Sequence, residues 1–456
     1  MRPTLPEEAL LKHQRAAARP PSPTAVGTAA PGASVKSVSD PGSPNPFEGF
    51  PLFGDLAKLF GQAGGGVPWD AARNLALAVA TDNTPEANVD PLERIKLEQL
   101  ARVAELHVAD VTGLSTTVTG RELTVLPVNR GHWAQRTLED YRPLLEKLAG
   151  SLGSPDVSGL GGPGGPGSEL DLGDDAGLGM GQDPDDQFAA MLGPMIQAMQ
   201  PMMVAMTAGS MVGHLARRSF GQYDLPIPRT PSDELLILVP NLDAFGNEWS
   251  LPADDLRLWI CLHEIAHHTV LGVPHVRERL ERLLTRYTTS FRTDPAALEE
   301  HLGEIDLSGG PESLAGLQQV LGEPGALLGA IQSDEQRALL PQLEALVAVV
   351  VGVVDHVMDD VGAKLISSYG MLTEALRRRR VETAEADRFV ERLLGLELTQ
   401  ATYDRGSRFV AGVIERAGAQ GLARLWEGER LLPSPPEVDA PGLWLARIDL
   451  PDSPAE

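Results

Sequence analysis

One cysteine, Cys261, stands in 456 residues. No disulfide can form within the chain, so a small scaffold stapled by cystines is excluded. Aromatic residues are scarce at 5%, which disfavours a strand-rich fold, because strands recruit Phe, Tyr and Trp. Positive charge is short as well: 38 Lys and Arg face 63 Asp and Glu, for a net charge of -25. Beyond the run Arg377 to Arg380 the chain offers no basic patch to phosphates or anionic lipid headgroups. Nucleic acid and membrane are therefore not expected partners. The opening segment, MRPTLPEEALLKHQRAAARPPSP, lacks an apolar core of the signal-peptide kind. The best spanning candidate, Phe188 to Ala216, is interrupted by Pro194, Gln197, Gln200, Pro201 and His214. With a single thiol suited to a reducing compartment, the expected location is the cytoplasm.

What the chain does have is 42% apolar residues, with Ala and Leu dominating the periodic stretches, so helices are expected throughout. Residues 1–44 are rich in Pro, Ala, Ser and Gly without periodicity and are predicted to be disordered. Residues 45–149 form an N-terminal helical region. It opens with PFEGFPLFGDLAKLF, read as a docking helix, and Pro91 is placed in the first turn of a later one. Within it, TTVTGRELTVLPV alternates as a short hairpin does. Residues 150–187, including GGPGGPG, lack the Lys and Ser/Thr of a phosphate loop and read as a flexible insertion. The main body follows over 188–435, and 436–456 read as a loose tail. Met191, Met195, Met199, Met202, Met203 and Met206 recur at near-helical spacing and are taken as core filling. The run Leu235 to Val239 reads as a buried strand ended by Pro240.

The chemistry is concentrated in LWICLHEIAHHTVLGVPH. His263 and His267, four apart on a predicted helix from about Pro252 to Leu271, share one face a single turn apart. Two neutral imidazoles at that spacing can hold Zn²⁺ with a coordination position left open. Bound zinc brings the pKa of a water to about 7, and Glu264 is placed to take its proton as general base. Leu256, Trp259, Ile260 and Val270 share the ligand face, so the histidines are expected in an apolar setting where a metal gives them a partner. His268 points off that face and is given a supporting or packing role. Cys261 reads as a small core residue.

A catalytic zinc uses a third protein ligand. His275 follows a helix break and comes too late. The stretch LEALVAVVVGVVDHVMDDVG is apolar almost all round, which predicts a central helix. Glu344, Val351 and Asp355 fall on one of its faces. Asp355 is the first choice for the third ligand, with His356 or Asp359 in support and Glu344 as fallback. Arg377 to Arg380 read as a solvated helix face laced with Glu.

Several separated blocks resemble the zinc-dependent metalloprotease family of actinobacteria, within the zincin-like superfamily. They are NPFEGFPLFGDLAKLF, WDAARNLALAVA, FGQYDLPIPR, LLILVPNLDAF, LPADDLRLWICLHEIAHH, VDHVMDDVG and LLGLELTQATYDRGSRFV. The resemblance implies a mainly α, zincin-like metallohydrolase fold with a small β element beside the HExxH helix. It also implies zinc held by His263 and His267, and Glu264 as catalytic acid/base. Where some relatives carry Glu before a glycine of the late buried helix, this chain has Val351 before Gly352. The reading is a zinc hydrolase acting on a peptide or protein substrate, with the strand near 235–239 aligning an extended substrate by analogy with other zincins. The alternatives are a catalytically silent zincin-like binding protein and a non-peptidase amide hydrolase.

Overall fold

The computed structural model describes residues 67–152, 201–202, 204–290, 333–381 and 391–450. The expected disordered segment 1–44, the segment PFEGFPLFGDLAKLF, most of the Gly-rich insertion, and Met191, Met195, Met199 and Met203 lie outside the described residues. Of the rest of the methionine series, Met202 is half-buried and Met206 is exposed, so Met206 does not fill the core.

Helices dominate, as composition and periodicity predict. In chain order they are α1 (Trp69–Thr81), α2 (Pro91–Thr112), α3 (Arg130–Leu152), α4 (204–218), α5 (Val239–Glu248), α6 (Ala253–Gly272), α7 (Pro274–Thr289), α8 (Asp334–Val357), α9 (Tyr369–Val381), α10 (Gln400–Ala423), α11 (Pro435–Asp439) and α12 (Pro441–Ile448). Their ends follow local chemistry. Asp90 caps α2 by accepting from the Leu92 N–H, Pro91 sits in its first turn, and Gly113 closes it in the left-handed region at φ 68°. Ser333 and Gln336 form a reciprocal capping box on α8.

The β element is two parallel strands, β1 (Thr124–Val128) and β2 (Glu234–Leu238), in register Thr124 to Glu234 through Val128 to Leu238. The hairpin expected over 116–128 therefore does not form. Its first half instead wraps the buried carboxylate of Asp233, which accepts from the N–H groups of Val118 (2.6 Å), Thr119 and Arg121 and from the Thr119 hydroxyl. A carboxylate satisfied by several donors outcompetes a local strand pairing. Burial alone would raise the Asp233 pKa, but the Thr119 hydroxyl and the three backbone donors outweigh it and hold the group down at about 2.

The central helix is α8. Val347, Val349, Val350, Val351, Val353 and Val354 are all buried in it. On length and composition alone Asp334–Leu365 is long and apolar enough to cross a membrane, yet 67% of its apolar window is buried within the protein, as in a core helix. α8 packs against α6, α7 and α10. Its crossing with α10 is unusually close. A Cβ on Gly352 would lie 2.6 Å from the Gly406 carbonyl oxygen, and one on Gly406 would lie 2.9 Å from the Ala348 carbonyl carbon. The segment predicted to be loose from 436 onward is ordered through Ile448. Trp444 is fully buried, packs edge-on to Phe409 at 5.4 Å and donates through Nε1 to the Leu431 carbonyl (2.7 Å). A buried indole with its N–H satisfied anchors a short helix that polar composition alone does not reveal.

Candidate metal centre

α6 runs Ala253–Gly272, close to its predicted limits, with Asp254 and Asp255 in its first turn where they oppose the helix dipole. Its central residues are buried almost without interruption, so its polar side chains must find partners inside the protein. His263 and His267 do lie together, with ring centroids 4.4 Å apart. Trp259 stacks on His263 at 4.9 Å and Tyr223 stacks on His267 at 6.0 Å. The Nδ1 of His267 lies 3.1 Å from the His263 carbonyl oxygen, and the Nδ1 of His263 lies 3.0 Å from Glu264 Oε1. With an oxygen acceptor facing each Nδ1, the fitting tautomer carries its proton there and turns the Nε2 lone pair to a metal. That donor chemistry fits two ligands of a zinc site.

Glu264 is fully enclosed. Its Oε2 accepts from the backbone N–H groups of Gln222 (2.6 Å) and Tyr223 (2.9 Å). Burial pushes this carboxyl up to about 7, against the pull of His267 and the two backbone donors. Residue 221 can only be glycine without rearrangement: a Cβ there would stand 2.6 Å from each Glu264 oxygen. The short strap 219–223 is itself pinned. Trp133 donates to the Gly221 carbonyl (2.8 Å), and Arg229, stacked on Trp133 and Tyr141, donates to the Gln222 carbonyl (3.2 Å). Leu238 of β2 donates to the Phe220 carbonyl (2.7 Å), and the Leu236 N–H meets the Gln222 side chain (3.4 Å).

Those last two bonds bear on the role anticipated for the strand. The N–H groups of Leu236 and Leu238 point away from β1 and are taken by the strap. An extended substrate cannot add to that edge of β2 without displacing it.

His268 is buried behind the pair. Its Nδ1 lies 3.1 Å from the Tyr223 hydroxyl, and its Nε2 is 3.7 Å from Asp233 Oδ1. Burial lowers its pKa in spite of Asp233. Asp233, His268 and Tyr223 thus brace the ring stacked on His267. This is the supporting role anticipated for His268.

Among the described residues, no group of three His, Cys, Asp or Glu side chains is placed to hold a metal ion. Asp355 is half-buried on α8, the helix that packs against α6. Asp359 accepts from the Tyr369 hydroxyl (2.8 Å), Glu344 sits in the field of Arg405 and Glu397, and Val351 is buried in the core. His275 Nε2 faces the Leu425 carbonyl oxygen at 2.9 Å. Cys261 is fully buried, with its thiol pKa raised by that burial, and packs as a core residue. Arg377 and Arg378 pair with Glu374, as a solvated face would, whereas Arg379 turns inward over the Phe220 ring at 3.6 Å.

Residues 67–445 match the model of a family described as zincin-like metallopeptidase. A crystal structure from Chloroflexus aurantiacus, described as a candidate hydrolase with a novel fold, is similar at a TM-score of 0.55 and 22% identity. The match covers 84% of this chain and 99% of that one, and at such identity it speaks to the fold. No curated protein matches the chain.

Proposed function

Because the chain belongs to the zincin-like metallopeptidase family, we propose that it is a zinc-dependent hydrolase of peptide bonds, with His263 and His267 as metal ligands and Glu264 as general base. The observation that carries this reading is the paired imidazoles, 4.4 Å apart on one helix face, each with Nδ1 against an oxygen. When bound, zinc supplies the Lewis acidity that polarises a carbonyl. The chain supplies the rest. Glu264, with a pKa of about 7, is poised to take and return a proton near neutrality. Tyr223, His268 and Asp233 hold the His267 ring in place. A peptide or protein is the proposed substrate, and the lone buried thiol suits a cytoplasmic setting.

A second reading rests on two specific observations. No group of three metal-ligating side chains is gathered among the described residues, and both Glu264 oxygens already accept hydrogen bonds. A catalytically silent zincin that binds a peptide would keep such a site as a structural core. Zinc analysis and hydrolysis assays on the purified chain separate the readings. The enzyme requires near-stoichiometric zinc, lost in His263→Ala and His267→Ala, and peptide cleavage abolished in Glu264→Ala with zinc retained. Cleavage that survives Glu264→Ala refutes the catalytic assignment. Full zinc occupancy without cleavage of any peptide or small amide establishes the silent form, and activity on small amides alone would mark a non-peptidase.

A further inference from the structure

The helix that backs the metal helix carries an uncovered face. α2 packs on α6, and its inner side buries Leu97, Ala101, Ala104 and Val108. A helix laid on a protein surface normally turns polar residues outward. α2 does the reverse. Along its outer ridge stand Leu92, Ile95, Val103 and Leu106, between 42 and 69% exposed. They are half of the eight large apolar side chains left exposed among the described residues. Scattered singly, such residues are ordinary, but a row of them on one helix face marks a contact surface.

Symmetry and charge together say what covers it. Counting outward from the exposed Gln99, Ile95 and Val103 lie four residues to either side, and Leu92 and Leu106 lie seven. The row therefore reads the same from both ends, aliphatic for aliphatic. A second copy crossing antiparallel at Gln99 sets Leu92 against Leu106, Ile95 against Val103 and Gln99 against itself, the pattern a two-fold axis requires. An amide both donates and accepts, so the two Gln99 side chains satisfy each other at the axis. The chain as a whole carries a net charge of -25, which opposes contact between copies. From Leu92 to Leu106, however, three acids stand against three bases. They are paired locally: Arg94 with Glu98 at 2.8 Å, Lys96 with Glu93 at 3.5 Å and Arg102 with Glu122 at 3.9 Å, while Glu105 accepts from the Thr116 hydroxyl at 2.7 Å. A second copy meets little repulsion along this helix.

We propose that the outer face of α2 is a homodimer interface, in which two copies of this chain pair antiparallel about Gln99. The ridge is about 21 Å long, and its four aliphatic side chains offer on the order of 400 Å² of apolar surface per copy. With the flanking side chains, the contact reaches about 1,200 Å² in total, the lower bound for a specific interface. The dimer is therefore reversible, with a Kd of about 10 μM. It involves none of the residues of the histidine centre and stands whether or not the chain hydrolyses anything.

Sedimentation velocity of the full chain between about 1 and 200 μM tests it, with a shift from monomer to dimer expected across that range. Leu106→Glu should weaken association about tenfold or more with the melting temperature unchanged, because the position is exposed in the monomer. Ile95→Lys should do the same. Ile95→Lys combined with Val103→Glu should restore the dimer, since the new charges meet across the axis. Gln99→Cys should give a disulfide-linked dimer on oxidation. Asp110→Cys, about 16 Å further along the helix, should not, and the native Cys261 is buried. A monomer throughout the range, which would leave the ridge to another occupant, overturns the proposal. So does a dimer that Leu106→Glu and Ile95→Lys leave unchanged, or one that cross-links at 110 and not at 99.

Discussion

Replacing Gly221 by alanine tests whether the strap is clamped against the buried carboxylate. The added Cβ would stand 2.6 Å from both Glu264 oxygens, well inside van der Waals contact. Neither side has room to yield. The strap is tied by Trp133, Arg229 and Leu238, and Glu264 has no exposed surface. Relief must come by pushing the carboxylate off the N–H groups of Gln222 and Tyr223. Overpacking of a core costs about 1–3 kcal/mol, and weakening a hydrogen bond to a charged group costs about 1.5–3 kcal/mol. Because the two relieve each other, we expect a loss of about 3 kcal/mol, or a fall in Tm of roughly 3 °C for a chain of this size. Urea denaturation of the parent, Gly221→Ala, Glu264→Ala and the double variant forms the decisive cycle. Without the carboxylate the new methyl occupies vacated space, so the double variant should be no less stable than Glu264→Ala, giving a coupling of about 2–3 kcal/mol. A cost below about 0.5 kcal/mol, or equal costs in both backgrounds, would refute the clamp.

Acid–base behaviour supplies two further tests. In metal-free protein, the raised Glu264 pKa means the folded state keeps its proton while the unfolded chain loses it. Stability should therefore fall as pH rises from 4.5 to about 7, by about 3 kcal/mol in all. Glu264→Gln should flatten that slope in urea titrations run in chelator, and an unchanged slope would assign it elsewhere. Asp233 has the opposite sign. Its depressed pKa gives stability that is present above about 3.8 and lost as pH falls towards 2. Asp233→Asn should cost about 2 kcal/mol at pH 7, with parent and variant converging near pH 2. A gap that persists in acid would mean that the loop 118–121 is held by something other than the charge.

Much of the centre was legible in the sequence because its signals are local. The four-residue spacing of His263 and His267, the first-turn acids and the closing Gly272 define α6 within a residue or so. The valines of α8 announce a core helix for the same reason. What the sequence hid is long-range. Asp233 reaches residues more than a hundred positions earlier, so TTVTGRELTVLPV looks like a hairpin until its partner is seen. Gly221, Gln222 and Tyr223 stood in a recognisable block, FGQYDLPIPR, yet nothing in its pattern says that its backbone would seat Glu264. Arg379 sits in a run of four arginines, and only the fold separates the one turned inward from its solvated neighbours. The C-terminal segment reads as polar and loose because its anchors, the buried Val438, Trp444 and Ile448 and the Arg447–Glu437 and Arg405–Asp439 pairs, are spread thinly along it.

Where Gly352 meets Gly406, peptide planes touch with no cushion of side chains between them. Long side chains act as compliant spacers that let helices slide, and their absence removes that give. Since α8 also lies against α6, any side chain larger than hydrogen at 352 or 406 would prise α10 away from the helix that backs the histidines.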